Sequence, residues 1–390
     1  MKIKRSHVYF ILFVIISTFA GLEIGARLYL KFVLQKSNEK KFRFNYYTVY
    51  EHIPGFREGD EKGDWIVINR NGFRRTNDVS KNKPKNTYRI FFLGGSAAHG
   101  VSSRKPYPIR HIYPTETVDA YLEMKLNQEF DQPVVEVINA AVTGYQVFQH
   151  TQYLQTELLA YNPDMIIFFD GANDHYTNNP DYNYLADYRY QFWKDKIREP
   201  SFGGAWDYFA SYMAEYSGLF RGYLSQQLEL DARSKMANKD MYKDYGNSEI
   251  SIKNHKIAAK KQFLRSIRMN LDLLSHEKVD TILGLQPMLI LRDTTFLSNQ
   301  ERSFLHQEPN TQTLYPVVDS ELKEISGEYG VGYVDFNGSF NDPKYKNKQL
   351  FIDYCHPTPL GGEAAADALL PIVRKKIEEW AASMKSSSVL

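Results

Sequence analysis

The stretch Arg89-Ile-Phe-Phe-Leu93-Gly94-Gly95-Ser96-Ala97-Ala98-His99-Gly100 decides the fold. Its apolar run breaks off at two glycines, the pattern of a strand buried on both faces that ends in a tight turn. Short aliphatic runs recur at 134–139, 165–169, 281–285 and 332–335, and helix-length amphipathic segments lie between them at 115–130, 147–161, 256–275, 319–329 and 360–384. Asn162-Pro163 gives the second helix a natural stop, because proline disfavours helical backbone in the residue before it. Strands alternating with helices imply parallel pairing through crossovers, so the expectation is a doubly wound α/β domain of about five parallel strands. Reactive groups in such a domain gather just past the carboxyl ends of the strands, which is where Ser96 falls.

Around this core, residues 31–86 are polar and charged, with Pro54, Gly55, Gly63 and Gly72 as breakers. Only Trp65-Ile-Val-Ile68 reads there as a short strand, so the segment is expected to be a stalk or small β decoration ahead of a domain at 87–384. Residues 176–254, between the third and fourth strands, are far too many for an ordinary crossover and read as an insertion. Its Tyr182, Tyr184, Tyr188, Tyr190, Trp193 and Trp206 suit either packing onto the main domain or a lid or sugar-stacking wall over the site.

With 43% hydrophobic and 24% charged residues among 390, the chain has the composition of an ordinary globular protein with a packed core. Its 48 basic and 46 acidic residues leave a formal charge of +2, too balanced to point to a nucleic-acid partner. A single cysteine, Cys355, excludes an intrachain disulfide and a cysteine-rich zinc site.

The N-terminus has the pattern of an export signal, with Met1-Lys-Ile-Lys-Arg5 basic and Val8 to Leu22 almost wholly apolar. Thr18-Phe-Ala20 before Gly21 has the small residues of a cleavage site. The helical pattern nevertheless continues through Ile24, Ala26, Leu28, Leu30 and Val33, reaching about the twenty residues of a bilayer span. The expectation is a cytoplasmic tail at 1–6, an uncleaved single-pass anchor at 7–30 and the large domain outside, with secretion after cleavage as the alternative. Glu23 and Arg27, four apart on one helix face, can pair near the far interface.

Polar groups collect where the strands end. Asn139-Ala-Ala-Val-Thr-Gly144-Tyr145 follows the second strand, and glycine there lets a backbone N–H approach a ligand or simply makes a turn. The third strand ends Phe169-Asp170-Gly171-Ala172-Asn173-Asp174, and an asparagine so placed can donate a side-chain N–H to a developing oxyanion. Near the C-terminus, Asp353-Tyr-Cys-His356-Pro357 puts a carboxylate and an imidazole on one loop. Asn139, Asp170 and Asp174 read as loop-bonding groups. The scattered His99, His150 and His175 lack metal-ligand spacing, and Cys355 reads as a small packing residue, so no metal or cofactor is assigned.

Gly95-Ser96, Gly144, Gly171-Ala172-Asn173 and Asp353-x-x-His356 resemble, in order, the four blocks of the SGNH hydrolase family, also called GDSL-like. Asn71-Gly72-Phe73-Arg74, Glu116-Thr117 and Asn162-Pro163-Asp164 are similar to membrane-anchored bacterial members, and the resemblance runs from about 67 to 377 without the insertion. One position departs from the GDS form of the first block, where Gly95 stands in place of Asp. The resemblance implies a three-layer α/β/α flavodoxin-like fold. It also implies a catalytic triad of Ser96, His356 and Asp353, and an oxyanion hole made by the N–H groups of Ser96 and Gly144 with the Asn173 side chain.

These residues imply acyl chemistry through an acyl-enzyme, with three readings for its use. One is hydrolysis of an ester, such as an O-acyl group on a cell-envelope or exported polysaccharide. Another is acyl transfer to such a polysaccharide, which differs only in whether water or a sugar hydroxyl takes the acyl group. A third is a non-catalytic carbohydrate-binding or assembly protein on the same fold. Neither Gly-x-Gly-x-x-Gly nor a P-loop lysine follows the first strand, which argues against nucleotide-binding doubly wound folds.

Overall fold

A computed structural model of the protein describes residues 5–29, 41–45, 47–61, 63–103, 110–175, 249–305 and 309–387, with short pieces at 209, 213 and 216–220. The expected aromatic insertion at 176–254 and the start of the expected stalk therefore lie mostly outside the described residues. The chain divides into two compact units, one of Met1–Lys41 with Tyr188–Ser251 and one of Phe42–Asp187 with Ile252–Leu390.

In the first unit, α1 (Arg5–Leu28) is a 24-residue helix with a mean hydropathy of 2.1 over its most apolar window, long and apolar enough to cross a bilayer. Its side chains from Val8 to Phe19 are mostly exposed, as a span that faces lipid would be.

The second unit opens with two antiparallel hairpins, β1 (Phe42–Asn45) with β2 (Val49–His52) and β3 (Arg57–Asp60) with β4 (Gly63–Val67). Then come β5 (Thr87–Gly94), α2 (Ser96–His99), α3 (Val118–Glu129), β6 (Val134–Asn139), α4 (Val147–Thr156), β7 (Met165–Asp170) and α5 (Ala172–His175). The C-terminal half supplies α6 (Glu249–His276), β8 (Asp280–Leu285), α7 (Asn299–Phe304), α8 (Pro309–Tyr329), β9 (Gly332–Val334), α9 (Phe336–Phe340) and α10 (Pro359–Ser387). All four neighbouring pairs of β5 to β9 run parallel, in the order β6-β5-β7-β8-β9. Counted along the sheet this is the 2-1-3-4-5 order of flavodoxin-like folds, whose crevice opens between the first and third strands.

Burial explains the continuous apolar runs. Every residue of β5 and β7 is buried, so both faces of the sheet are covered. On one face Ile90, Phe92, Ile167 and Ile282 pack with Leu122 and Leu126 of α3 and with Leu369, Val373 and Ile377 of α10. On the other, Phe91 meets Phe73 and Tyr161, and Phe168 meets His150 of α4. Register then brings Gly94 opposite Phe169 and Asp170 opposite Leu285, so the turns after β5, β7 and β8 emerge at one edge.

Phe73 is fully buried, and the buried Arg74 guanidinium donates to the carbonyl oxygens of His99, Trp65, Gly100 and Ile112. Two of these carbonyls, His99 and Gly100, belong to the turn that follows Ser96, so the guanidinium ties that turn to the chain around Trp65 and Arg74.

Candidate active site

Ser96 opens the short helix α2 immediately after β5, with Gly95 as its N-cap. The chain has to leave a buried strand and turn within two residues, and a Cβ at Gly95 would overlap the Asn173 amide. The residue that departs from the GDS pattern is therefore the one that makes room for Asn173. Asn139, at the end of β6, steadies the turn: its Nδ2 donates to Ala98 O at 2.9 Å and to Asp119 Oδ1 at 2.6 Å, and its Oδ1 accepts from Ala141 N.

The carboxylate and imidazole come from a small antiparallel loop 260 positions away. Phe351 bridges Pro357, Ile352 N donates to His356 O at 2.9 Å and Thr358 N to Leu350 O at 2.8 Å, leaving residues 353–356 at the tip. Asp353 Oδ1 accepts from the N–H groups of Cys355 at 2.9 Å and His356 at 2.8 Å, which turns Oδ2 toward the ring. His356 Nδ1 lies 2.7 Å from Oδ2, and its Nε2 lies 2.7 Å from Ser96 Oγ. With Nδ1–H donating to Asp353, Nε2 is left to accept from the Ser96 hydroxyl. Asp353 is buried while Ser96 and His356 are half-buried, so the carboxylate is the most deeply set of the three groups.

Electrostatics follow from that order. Burial opposes ionisation of Asp353, yet the hydrogen bond and charge of His356 and the two N–H donors hold its pKa below the ordinary carboxylate value. For His356 burial again works against the charged form, but the Cys355 sulfur and the Asp353 carboxylate outweigh it and raise the ring's pKa. Asp353, Cys355 and His356 also offer donor atoms within 4.8 Å of one another, a spacing a metal ion could use. The bond between Nδ1 and Oδ2 already commits two of those three groups to each other.

The remaining expected residues lie on the other two turns. Gly144 has φ +84°, a left-handed conformation that disfavours a side chain, and this shapes the turn after β6. Asn173, half-buried on α5, donates from Nδ2 to Tyr145 O at 2.8 Å. One N–H of that amide is thus engaged, which fixes its orientation. Ser96, His356, Asp353 and Asn173 meet around the first and third strands of the sheet, at the crevice, and Gly144 lies one residue before the Tyr145 carbonyl that Asn173 binds.

Several contributors were not legible in the motifs. Gln146 Nε2 donates to Asn173 O at 2.8 Å and so ties the second turn to the third. The only hint was its place three residues before Gln149, with which it forms a capping box on α4. The β1–β2 hairpin supports the Gly144 turn from outside: Tyr50 Oη donates to Thr143 O at 3.0 Å, and Gln149 Nε2 to Thr48 O at 2.8 Å. Gln286, just past β8, takes Asp170 O on its own N–H at 2.7 Å and donates from its side chain to Cys355 O at 3.1 Å.

Other residues read as structural have partners of their own. His150 pairs with Asp170 at 3.0 Å, both buried, and Asp174 Oδ1 accepts from Val147 N at 3.1 Å. Burial first and the Asp170 charge second push the Asp174 carboxyl well above its usual range. His99 packs against His52, with ring centroids 4.7 Å apart. The side chain of His175 lies outside the described residues.

No family model and no curated protein matches this sequence. Solved structures do, among them esterases and lipases. A GDSL-like lipase from Bacteroides thetaiotaomicron VPI-5482 is 12% identical with a TM-score of 0.39, covering 77% of this chain and 92% of that one. A catalytic mutant of an acetylxylan esterase from Geobacillus stearothermophilus is 14% identical with a TM-score of 0.42, covering 74% and 94%. The chemistry of the present chain is carried by its own residues.

Proposed function

We propose that this protein is a serine-dependent ester hydrolase of the SGNH type, held at the cytoplasmic membrane by an uncleaved α1 with its catalytic unit outside. The observation that carries the reading is the hydrogen-bonded line from Asp353 through His356 to Ser96, with 2.7 Å at each step.

Ser96 Oγ is a poor nucleophile while protonated, so His356 Nε2 takes its proton as Oγ attacks the acyl carbonyl. Asp353 keeps the ring in the tautomer that leaves Nε2 free to accept, and stabilises the imidazolium that results. The oxyanion is met by the N–H groups of Ser96 and Gly144 and by the second N–H of Asn173. His356 returns the proton to the leaving alcohol, and water then cleaves the acyl-enzyme by the same route in reverse. The substrate class we propose is an O-acyl group on a cell-envelope or exported saccharide. A half-buried Ser96 and the membrane anchor proposed for α1 both suit such a polymer.

The test is release of nitrophenol from nitrophenyl acetate by the full chain in detergent, beside Ser96→Ala at matched folded concentration. Turnover should fall to background in the variant. Equal rates from the two proteins would remove Ser96 as nucleophile.

A further inference from the structure

The unit formed by Met1–Lys41 and Tyr188–Ser251 contains an arrangement that the ester chemistry does not use. α1 carries two charged side chains near its carboxyl end, Glu23 and Arg27, paired at 2.7 Å. At about 1.5 Å per residue Glu23 lies roughly 27 Å along the helix from Arg5, near the edge of an about 30 Å hydrocarbon layer. A carboxylate at that depth is costly unless donors surround it.

Residues 194 to 196 positions away supply those donors. Ser217 Oγ donates to Glu23 Oε2 at 2.7 Å, Gly218 N to Oε1 at 2.5 Å and Leu219 N to Oε2 at 3.2 Å. Arg27 reciprocates by donating from Nη2 to Tyr216 O at 3.0 Å. Gly218 permits this approach, since a Cβ there would lie 2.7 Å from Arg27 Cγ and 3.4 Å from the Arg27 backbone nitrogen. Two aromatic side chains of the same unit are exposed: Phe209 is 45% exposed and Tyr216 63% exposed, with Phe209 edge-on to Phe220 at 5.7 Å. Tyrosine and other large aromatic rings at the end of a membrane helix belong to the interfacial belt, where an apolar body meets acyl chains and a polar tip meets headgroups.

We propose that residues 216–220 form a foot seated on the outer end of α1 in the headgroup layer, with Phe209 and Tyr216 turned to the lipid surface. This rests on the retained anchor proposed above. Cleavage after Ala20 would leave Glu23 and Arg27 on a stub too short to hold helical geometry, and the seat would be lost.

The experiment uses the full chain in phosphatidylcholine–phosphatidylglycerol vesicles, with a protease site inserted between residues 30 and 41. In Arg27→Cys with Gly218→Cys, oxidation should keep the two pieces joined after proteolysis until a reductant is added. Glu23→Cys with Ser217→Cys reads the same contact should the glycine substitution disturb packing. A nitroxide at Tyr216→Cys, attached selectively because Cys355 is buried, should be reached by oxygen more than by a water-soluble nickel chelate. Pieces that separate under oxidation in both cysteine pairs, or a nitroxide fully open to nickel, would overturn the foot. An intact mass beginning at Gly21 would overturn the retained anchor and the foot together. Ser96→Ala carried through the same protocol should leave the cross-link unchanged, so failure of the ester reading and failure of the foot are read separately.

Discussion

His356 stands between a carboxylate that favours its charged form and a hydroxyl that needs its neutral form, and the balance sets a pH dependence. Only the neutral ring accepts the Ser96 proton, so activity falls as pH drops through the ring's pKa. Because that pKa is raised, the acid limb of kcat/KM should lie above the roughly 6.5 of an ordinary histidine. Asp353→Asn removes the charge that favours the imidazolium, so the limb should move to lower pH while the plateau falls by up to about four decades. A limb that stays in place would show that Asp353 does not control the ring. Asn173→Ala should reduce kcat by about two to three decades, the usual loss for one oxyanion donor. Gly95→Ala should produce a similar loss with Ser96 untouched, since its Cβ displaces the Asn173 amide. Kinetics of the two variants on one ester would check both. The motifs bring Ser96, Asn173 and His356 to notice one at a time, because each sits in a short local pattern. The fit of Asn173 over Gly95 is invisible there, since spacing along the chain does not say which side chain covers which turn.

Between the residue and the whole lies the loop that carries Asp353 and His356, and a buried ion pair holds its base. Glu301 Oε1 accepts from Leu350 N at 2.8 Å and Phe351 N at 3.1 Å, while its Oε2 meets Arg292 Nη1 at 2.6 Å. Arg292 in turn donates to the carbonyl oxygens of Phe340, Tyr345 and Lys348, so one pair gathers four chain segments. Both side chains are fully buried, and removing one partner strands the other's charge. Glu301→Ala should cost about 3–5 kcal/mol in thermal or denaturant unfolding. Glu301→Gln keeps an acceptor for the two N–H groups and should lose less. Equal losses would place the effect in the charge alone. Elements with a clear period were legible in advance: the five strands and the helices α3 and α10 fall within a few residues of where the apolar runs put them, whereas α6 and α8 end where expected but begin well before, at Glu249 and Pro309. The hairpins at 42–67 were not, apart from Trp65 to Ile68, because strands such as Arg57–Asp60 are polar and exposed and carry no alternation. Glu301 escaped notice for a related reason, since a glutamate in the first turn of a helix ordinarily faces water.

For the whole molecule, the sheet unit has a core of its own from β5 to α10, so a chain beginning near Lys36 should be soluble and should melt cooperatively. Aggregation or a broad, non-cooperative melt would show that the anchor contributes to that core. The parallel order was readable from the alternation of strands and helices, but the 2-1-3-4-5 arrangement was not, because apolar runs do not state their neighbours. That arrangement sets Ser96, which follows β5, against His356, which follows β9. Asp353 and His356 hold each other within four residues, whereas the bond to Ser96 spans 260 positions. Any cut between β7 and β8 would therefore leave the hydroxyl on one fragment and a preassembled acid–base pair on the other. Neither half could turn over an ester by itself, and the colour of released nitrophenol would become a direct count of halves that had found each other.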